Sequence, residues 1–398
     1  MKILIPFRPD IYGDRVEEFS TVAFAIHLGN HLMQHGHEVG YVTSLGPSRF
    51  WPGSRLFPVL PTTSEIHGIA EAVLLYREYE YDILQIHTAK FATFKQLKKY
   101  INSDDRVVCT IHIPANIGRS FWYHKDDLAD LLEYPNFRLV CVSESGSYIP
   151  LMKAIGYDHL IGPERIEDGL ARPVPYAIDS PPGRVRVIPN GVMDLGIKPI
   201  PFEEKQNRFM FVAHFMPSKN VVHTLKMAIE FRIPCIFVGR RLPQKRLSPA
   251  EEAYAVQCEE LISNNRDIID YRPILPYKEC VTEMARSKSL VVLSEIESFG
   301  FTPVEAAQVG TPTIWLGCQG VDETMIDGIT GFRINRKEYK NWKKRRQRAA
   351  ELTNAVNRLG QFEMISCVRA RYSMGSCCQA YEKLYNDVKA SHIDVASA

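Results

Sequence analysis

No apolar run in the 398-residue chain approaches the roughly 20 residues that a membrane-spanning helix needs. The apolar stretch Met1–Pro6 is too short for the core of a signal peptide, and no small-residue cleavage site follows it. It reads instead as a first buried strand. C-x-x-C pairs and Cys/His zinc spacings are also missing. The nine cysteines are scattered from Cys109 to Cys378, and only Cys377 and Cys378 are adjacent. Reduced thiols in a cytoplasmic protein are the expectation. There is no Asp-x-Asp motif to hold a divalent cation, no internal repeat and no low-complexity tract. A net charge of +2 excludes the strongly basic profile of a dedicated nucleic-acid binder.

What is present is an ordinary globular composition, 45% apolar and 24% charged. The length is too great for one core and points to two domains. Charge divides unevenly between them. Residues 1–180 carry 17 basic against 22 acidic residues, and the remainder 31 against 24, so the second half is the one suited to an anion.

Hydrophobic periodicity gives strands at Lys2–Pro6, Glu38–Thr43, Ile83–Ile86, Val107–Ile111 and Leu139–Val142, with a helix over Phe19–Gln34. After a Pro/Gly-rich stretch, Pro173–Gly191, a second series follows. Its strands are Phe209–Ala213, Cys235–Val238, Leu290–Leu293 and Thr313–Leu316. Its helices lie near His223–Glu230, Pro249–Asn264, Lys278–Ser287 and Pro303–Val309. Strands alternating with helices indicate α/β architecture with two parallel, doubly wound sheets, whose ligands bind at the carboxyl ends of the strands.

The densest chemistry lies between Ser294 and Pro312. A strand ends at Leu293, a loop carries Glu297, and Thr302-Pro303 opens a helix. Pro303 suits a first helical position, and Thr302 with Glu305 has capping-box spacing. Amides at such a helix start favour a diphosphate, and a carboxylate at Glu297 can accept hydrogen bonds from sugar hydroxyls.

Ser294, Glu297, Phe299, Gly300, Glu305, Ala306, Gly310 and Pro312 stand in register with the E-x7-E signature. That signature belongs to the family 4 glycosyltransferases, which this stretch closely resembles. Further landmarks recur in order: Gly36-His37-Glu38-Val39, Thr110-Ile111-His112, Val142-Ser143-Glu144, Val187–Val192, Gly320–Glu323 and Asp327–Phe332. The resemblance implies a GT-B fold, two Rossmann-like domains facing a central cleft. It places an acceptor-side domain at residues 1–195 and a nucleotide-sugar-binding domain at 196–375. A C-terminal helix and tail at 376–398 then cross back to the first domain.

The resemblance also implies retaining transfer from a nucleotide-sugar, UDP-linked by expectation, to a hydroxyl acceptor. The nucleotide-sugar is then a co-substrate, with no permanently bound cofactor and no metal expected. Glu297 is assigned to the donor sugar, Glu305 to the ribose, Lys219 to the leaving diphosphate and His112 to the sugar from the first domain. Lys219, Glu297 and His112 form the catalytic set. Ser298, Phe299, Gly300, Phe301 and Thr302 line the donor. His87 ends the strand before His112, and the loop Tyr271–Leu275 is a candidate contact for the base.

Two positions depart from the family pattern. His214 stands where an arginine usually clamps the diphosphate, with Arg240 or Arg241 able to compensate. Gly13-Asp14 replaces a pair of glycines, bringing an acid to a phosphate or acceptor loop. The acceptor is open on sequence alone. The basic, amphipathic segment Lys90–Ile101 fits a membrane-surface helix serving a lipid or glycan acceptor. The basic run Arg336–Arg348 fits phosphate contacts of a phage-type enzyme acting on a hydroxylated pyrimidine in DNA. A small-molecule acceptor needs neither, and a non-catalytic sugar-nucleotide-binding partner subunit is the reading from another class. Oligomeric state is not encoded in any of these features.

Overall fold

The computed structural model describes residues 1–6, 20–43, 52–58, 65–88, 92–112, 124–155, 184–242, 247–334 and 360–390. Gly13, Asp14 and the basic run Arg336–Arg348 lie outside them. The chain divides into two compact units, Met1–Met193 with Tyr372–Ala398, and Asp194–Arg371.

The first unit contains β1 (Lys2–Pro6), α1 (Ser20–Gln34), β2 (Glu38–Thr43), β3 (Arg55–Pro58), α2 (Glu65–Glu78), β4 (Ile83–Thr88), α3 (Ala92–Tyr100), β5 (Val107–Ile111), α4 (Lys125–Leu132), β6 (Phe137–Cys141), α5 (Ile149–Ala154) and β7 (Val185–Val187). Its seven strands are parallel, in the order β3-β2-β1-β4-β5-β6-β7. The second unit contains β8 (Gln206–Val212), α6 (Val221–Phe231), β9 (Cys235–Val238), α7 (Pro249–Ser263), β10 (Ile269–Arg272), α8 (Tyr277–Arg286), β11 (Ser287–Val292), α9 (Phe301–Gln308), β12 (Thr313–Leu316), α10 (Gln319–Thr324) and β13 (Gly331–Ile334). Its six strands are also parallel, ordered β10-β9-β8-β11-β12-β13. Then α11 (Gln361–Tyr372) runs to the unit boundary, and α12 (Met374–Ala390) belongs to the first unit.

In each sheet the chain winds outward from a middle strand, returns, and winds the other way. The reversal falls between β1 and β4 in the first unit and between β8 and β11 in the second. Loops leaving two such neighbours diverge to opposite faces and open a crevice at the strand ends.

The central strands are buried on both faces, as parallel sheets covered by helices must be. All five residues of β5 and of β6 are buried. In the first core, Leu84, Ile86, Cys109, Ile111, Phe137 and Leu139 pack together with helix residues such as Phe94 and Leu97. The second core is built around Phe209, Phe211, Phe237, Val291 and Leu293. All nine cysteines are free thiols.

α12 is tied to the first sheet by buried polar bonds. Tyr385 donates to Gln85 Oε1 (2.8 Å), Gln85 Nε2 donates to Thr110 Oγ1 (3.1 Å), and Tyr381 shares a bond with the same hydroxyl (2.8 Å). Each of these polar atoms would be costly to bury alone, and together they satisfy one another.

Three sequence expectations change. The apolar face of α3 does not point outward: Phe94 and Leu97 are fully buried in the core, and Lys98 pairs with Asp130 of α4. Packing has used the face that a membrane surface would need. Tyr271 is not in a loop but in β10, where its ring lies 5.7 Å from that of Phe237 and 6.1 Å from that of Phe215. No capping box forms at α9. The helix begins at Phe301, with Gly300 as N-cap and no side-chain cap bond, so Thr302 and Pro303 sit two positions further into the helix than expected.

Candidate active site

The loops that leave β8 and β11 meet at the switch point of the second sheet. After β8 the chain passes through His214 into a short turn, Pro217–Lys219, and Asn220 then takes a left-handed conformation (φ 51°) to start α6. The Asn220 side chain donates to the carbonyl of Leu293 at 2.7 Å, and the amide of Glu295 donates to the carbonyl of Ser218 at 2.8 Å. These two bonds lace the loops together and place Lys219 opposite Glu297. Lys219 Nζ donates to Glu297 Oε1 at 2.5 Å, with the two side chains 28% and 22% exposed. Two residues 78 positions apart thus form one charged pair at the carboxyl edge of the sheet.

α10 holds the second loop from the other side. The amide of Gly320 donates to the carbonyl of Glu297 (3.1 Å), and Thr324 Oγ1 donates to that of Phe299 (3.3 Å). The approach is so close that a Cβ on residue 320 would lie 2.3 Å from the carbonyl oxygen of Ser298 and 2.6 Å from the Phe299 amide nitrogen. The chain then turns at Gly300 (φ 87°), a conformation that side chains rarely adopt, and enters α9. Phe299 is buried, and its ring lies 5.2 Å from that of Phe301, edge to face. Ser298 and Thr302 are half-buried on either side.

Glu305 points inward from α9 and is 8% exposed. Tyr277, the first residue of α8, donates its hydroxyl to Glu305 Oε1 at 3.0 Å. Burial raises the Glu305 carboxyl to about 7, against the lowering effect of the Tyr277 bond. The acid is therefore poised near neutrality.

His214 is half-buried, and its Nδ1 has no hydrogen-bond partner among the described residues. Burial, then the charges of Arg240 and Lys219, hold its pKa below the usual value, so the ring is neutral at pH 7. Of the two arginines expected to compensate for it, Arg241 is committed elsewhere, to Glu252 and to Glu259 (3.4 Å) on α7. Arg240 is the one whose charge reaches His214.

In the first unit His112 follows β5 and His87 lies near the end of β4. His87 Nδ1 and His112 Nε2 are 3.1 Å apart, and the Phe24 ring of α1 packs edge-on against both, at 5.5 and 5.3 Å. Burial holds both histidines well below their ordinary pKa, and the neighbouring His112 adds to this for His87. They form a neutral pair in which one ring donates to the other. Sequence alone gave the pairing no signal. Tyr277, Asn220, Thr324 and the role of Gly320 were likewise missed, although Gly320 opens one of the motifs noted above.

Residues 194–363 match the family of glycosyl transferases group 1. No curated protein matches the chain in sequence. Solved structures similar to the whole chain include the sucrose-phosphate synthase of Thermosynechococcus elongatus. It is 17% identical, with a TM-score of 0.70 over 98% of this chain and 100% of that one. A glycosyltransferase from Rickettsia africae is 16% identical, with a TM-score of 0.65 over 97% and 98% of the two chains. Anabaena HepE in complex with UDP and glucose is 13% identical, with a TM-score of 0.65 over 97% and 99%. Residues 194–363 thus match the glycosyl transferases group 1 family, and the chain along its length has the fold of these solved structures, GT-B.

Proposed function

We propose that the chain is a retaining glycosyltransferase that moves a hexosyl or pentosyl group from a UDP-linked sugar to a hydroxyl acceptor, with no metal ion taking part in the transfer. The observation that carries this reading is the Lys219–Glu297 pair, held at the switch point of the second sheet by bonds from three directions. A partly exposed pair of this kind contributes only about 0–1 kcal/mol, so both partners can turn to a ligand at little cost.

In this reading Lys219 meets the diphosphate, together with the first amides of α9, which no side chain caps. Glu297 accepts hydrogen bonds from the sugar hydroxyls, Glu305 from the ribose, and neutral His214 gives a single N–H donation in place of the arginine that the family pattern implies. The anomeric C–O bond to the diphosphate breaks as the acceptor oxygen bonds to the same face of the sugar, and the departing phosphate oxygen takes the acceptor's proton. Catalysis is then mostly positioning and stabilisation of the leaving charge. The choice of UDP is supported by HepE, whose structures are described as complexes with UDP and glucose, UDP-glucose and UDP. No described helix is long and apolar enough to cross a membrane.

Release of nucleoside diphosphate from a panel of UDP-, GDP- and ADP-sugars tests the reading. Slow release from UDP-sugars, with the anomeric configuration retained in the product, is expected. An inverted product, or no release from any donor, contradicts it. The second outcome would favour the non-catalytic subunit.

The buried acid adds a pH dependence. Glu305 has a raised folded-state pKa of about 7 against an ordinary 4.5, so between those values the folded chain holds a proton that the unfolded chain has lost. Its stabilising contribution is full below pH 4.5 and is lost as pH rises through about 7. Ribose hydroxyls that donate to Glu305 favour its ionised form, so binding of UDP releases this proton below neutrality. Calorimetry from pH 6 to pH 8 is expected to show affinity rising by about 10-fold in wild type relative to Glu305→Gln. Parallel pH profiles for the two proteins would remove Glu305 from the site.

A further inference from the structure

A second cluster of reactive side chains lies wholly within the first unit, where α12 packs on the end of α1. Cys378 and Glu382 are four residues apart on α12 and so share one face of that helix. His35 faces them from the residue after α1. Its Nδ1 is 3.0 Å from Glu382 Oε1 and 3.9 Å from Cys378 Sγ, and the three donor atoms all lie within 4.8 Å of one another. His37 is next to them: its Nε2 is 2.9 Å from the same Glu382 oxygen, and its Nδ1 is 3.3 Å from the amino group of Met1.

One imidazole nitrogen, one thiol and one carboxylate, converging from two elements, make a mixed N, S, O donor set. That set suits a borderline-soft divalent ion, zinc first. Around tetrahedral zinc, donor atoms stand about 3.5 Å apart, which lies between the 3.0 and 3.9 Å separations of His35 Nδ1 from the other two donors. His35 is exposed and Glu382 only partly covered, so an ion has a path in and a solvent molecule can complete its coordination. His37 hydrogen-bonds the same carboxylate, as the outer partners of metal ligands do.

We propose that His35, Cys378 and Glu382 bind one zinc ion, clamping the C-terminal helix to the first helix of its unit. Binding replaces the hydrogen bond between His35 and Glu382 with two metal bonds: the His35 Nδ1 proton passes by way of solvent to Nε2, freeing Nδ1 for the metal, and the Cys378 thiol gives up its proton to solvent as its sulfur bonds the metal. Burial and the Glu382 carboxylate otherwise push that thiol up to about 12, so in the absence of metal it is protonated and inert. The site shares no residue with the donor machinery, and its test does not depend on sugar transfer.

The test uses the full chain stripped with EDTA. Zinc is expected to bind at one per chain by calorimetry and to raise the melting temperature, and cobalt(II) to give a thiolate-to-metal charge-transfer band. Cys378→Ser should abolish that band and weaken zinc binding at least ~10-fold, while Cys367→Ser, on α11, leaves both intact. Glu382→Gln, which keeps the shape of the side chain, should also weaken binding. Both variants must melt like the stripped wild type without metal, which separates loss of a ligand from loss of the fold. Absence of the cobalt band in wild type overturns the proposal, as does zinc binding that survives Cys378→Ser; Glu382 would then only hydrogen-bond to the two histidines.

Discussion

Lys219→Ala and Glu297→Ala are each expected to lower turnover at least ~100-fold, about 2.7 kcal/mol of barrier. Lys219 supplies a full positive charge 2.5 Å from Glu297 Oε1, and Glu297 supplies the acceptor proposed for sugar hydroxyls. Each variant therefore loses an interaction with charge or geometry that develops during transfer. Thermal unfolding should separate this from damage to the fold. The pair is a quarter exposed on each side, so its contribution to stability is small and both variants should melt close to wild type. Steady-state kinetics on a UDP-sugar decide the matter: near-normal turnover by either variant removes that residue from the catalytic set.

Gly320→Ala is the second large effect, and it acts through backbone. The new methyl would stand 2.3 Å from the Ser298 carbonyl oxygen, 2.4 Å from its carbon and 2.6 Å from the Phe299 amide nitrogen. None of these is the end of a flexible side chain, so either α10 withdraws or the Glu297–Phe299 loop moves. Withdrawal also breaks the Gly320 bond to the Glu297 carbonyl and the Thr324 bond to that of Phe299. Overpacking of this kind costs about 1–3 kcal/mol of stability. A displacement of roughly 1 Å at Glu297 costs about 100-fold in rate. Denaturant unfolding and kcat/KM measured together are expected to show both losses. A variant as stable and active as wild type would mean that the loop has slack the packing does not show.

The middle of each sheet was legible in the sequence and its margins were not. β1, β2, β4, β5 and β6, and then β8, β9, β11 and β12, read as short continuous apolar runs because helices cover both their faces. The four strands missed are β3, β7, β10 and β13, the outermost in their sheets. β3 ends on Pro58, β7 has Arg186 at its centre, β10 carries Asp270 and Arg272, and β13 starts on Gly331 and includes Arg333. Charge and proline are how edges are kept from pairing further, and they erase the apolar signal. At the site, Glu297, Glu305 and Lys219 were found through motif and spacing. Their partners Asn220, Tyr277 and Gly320 act by single contacts across long sequence separations, which no local pattern encodes. The helix cap assigned to Glu305 failed for a related reason: Thr302 and Glu305 have the right spacing, but Gly300 already starts the helix and Glu305 is turned inward to Tyr277.

A crystal structure of the full chain with an intact UDP-sugar or UDP tests the central assignment most directly. The diphosphate is expected within hydrogen-bond distance of Lys219 Nζ and the start of α9, with the ribose on Glu305. A nucleotide bound away from the β8–β11 switch point, with the Lys219–Glu297 pair undisturbed, would contradict it.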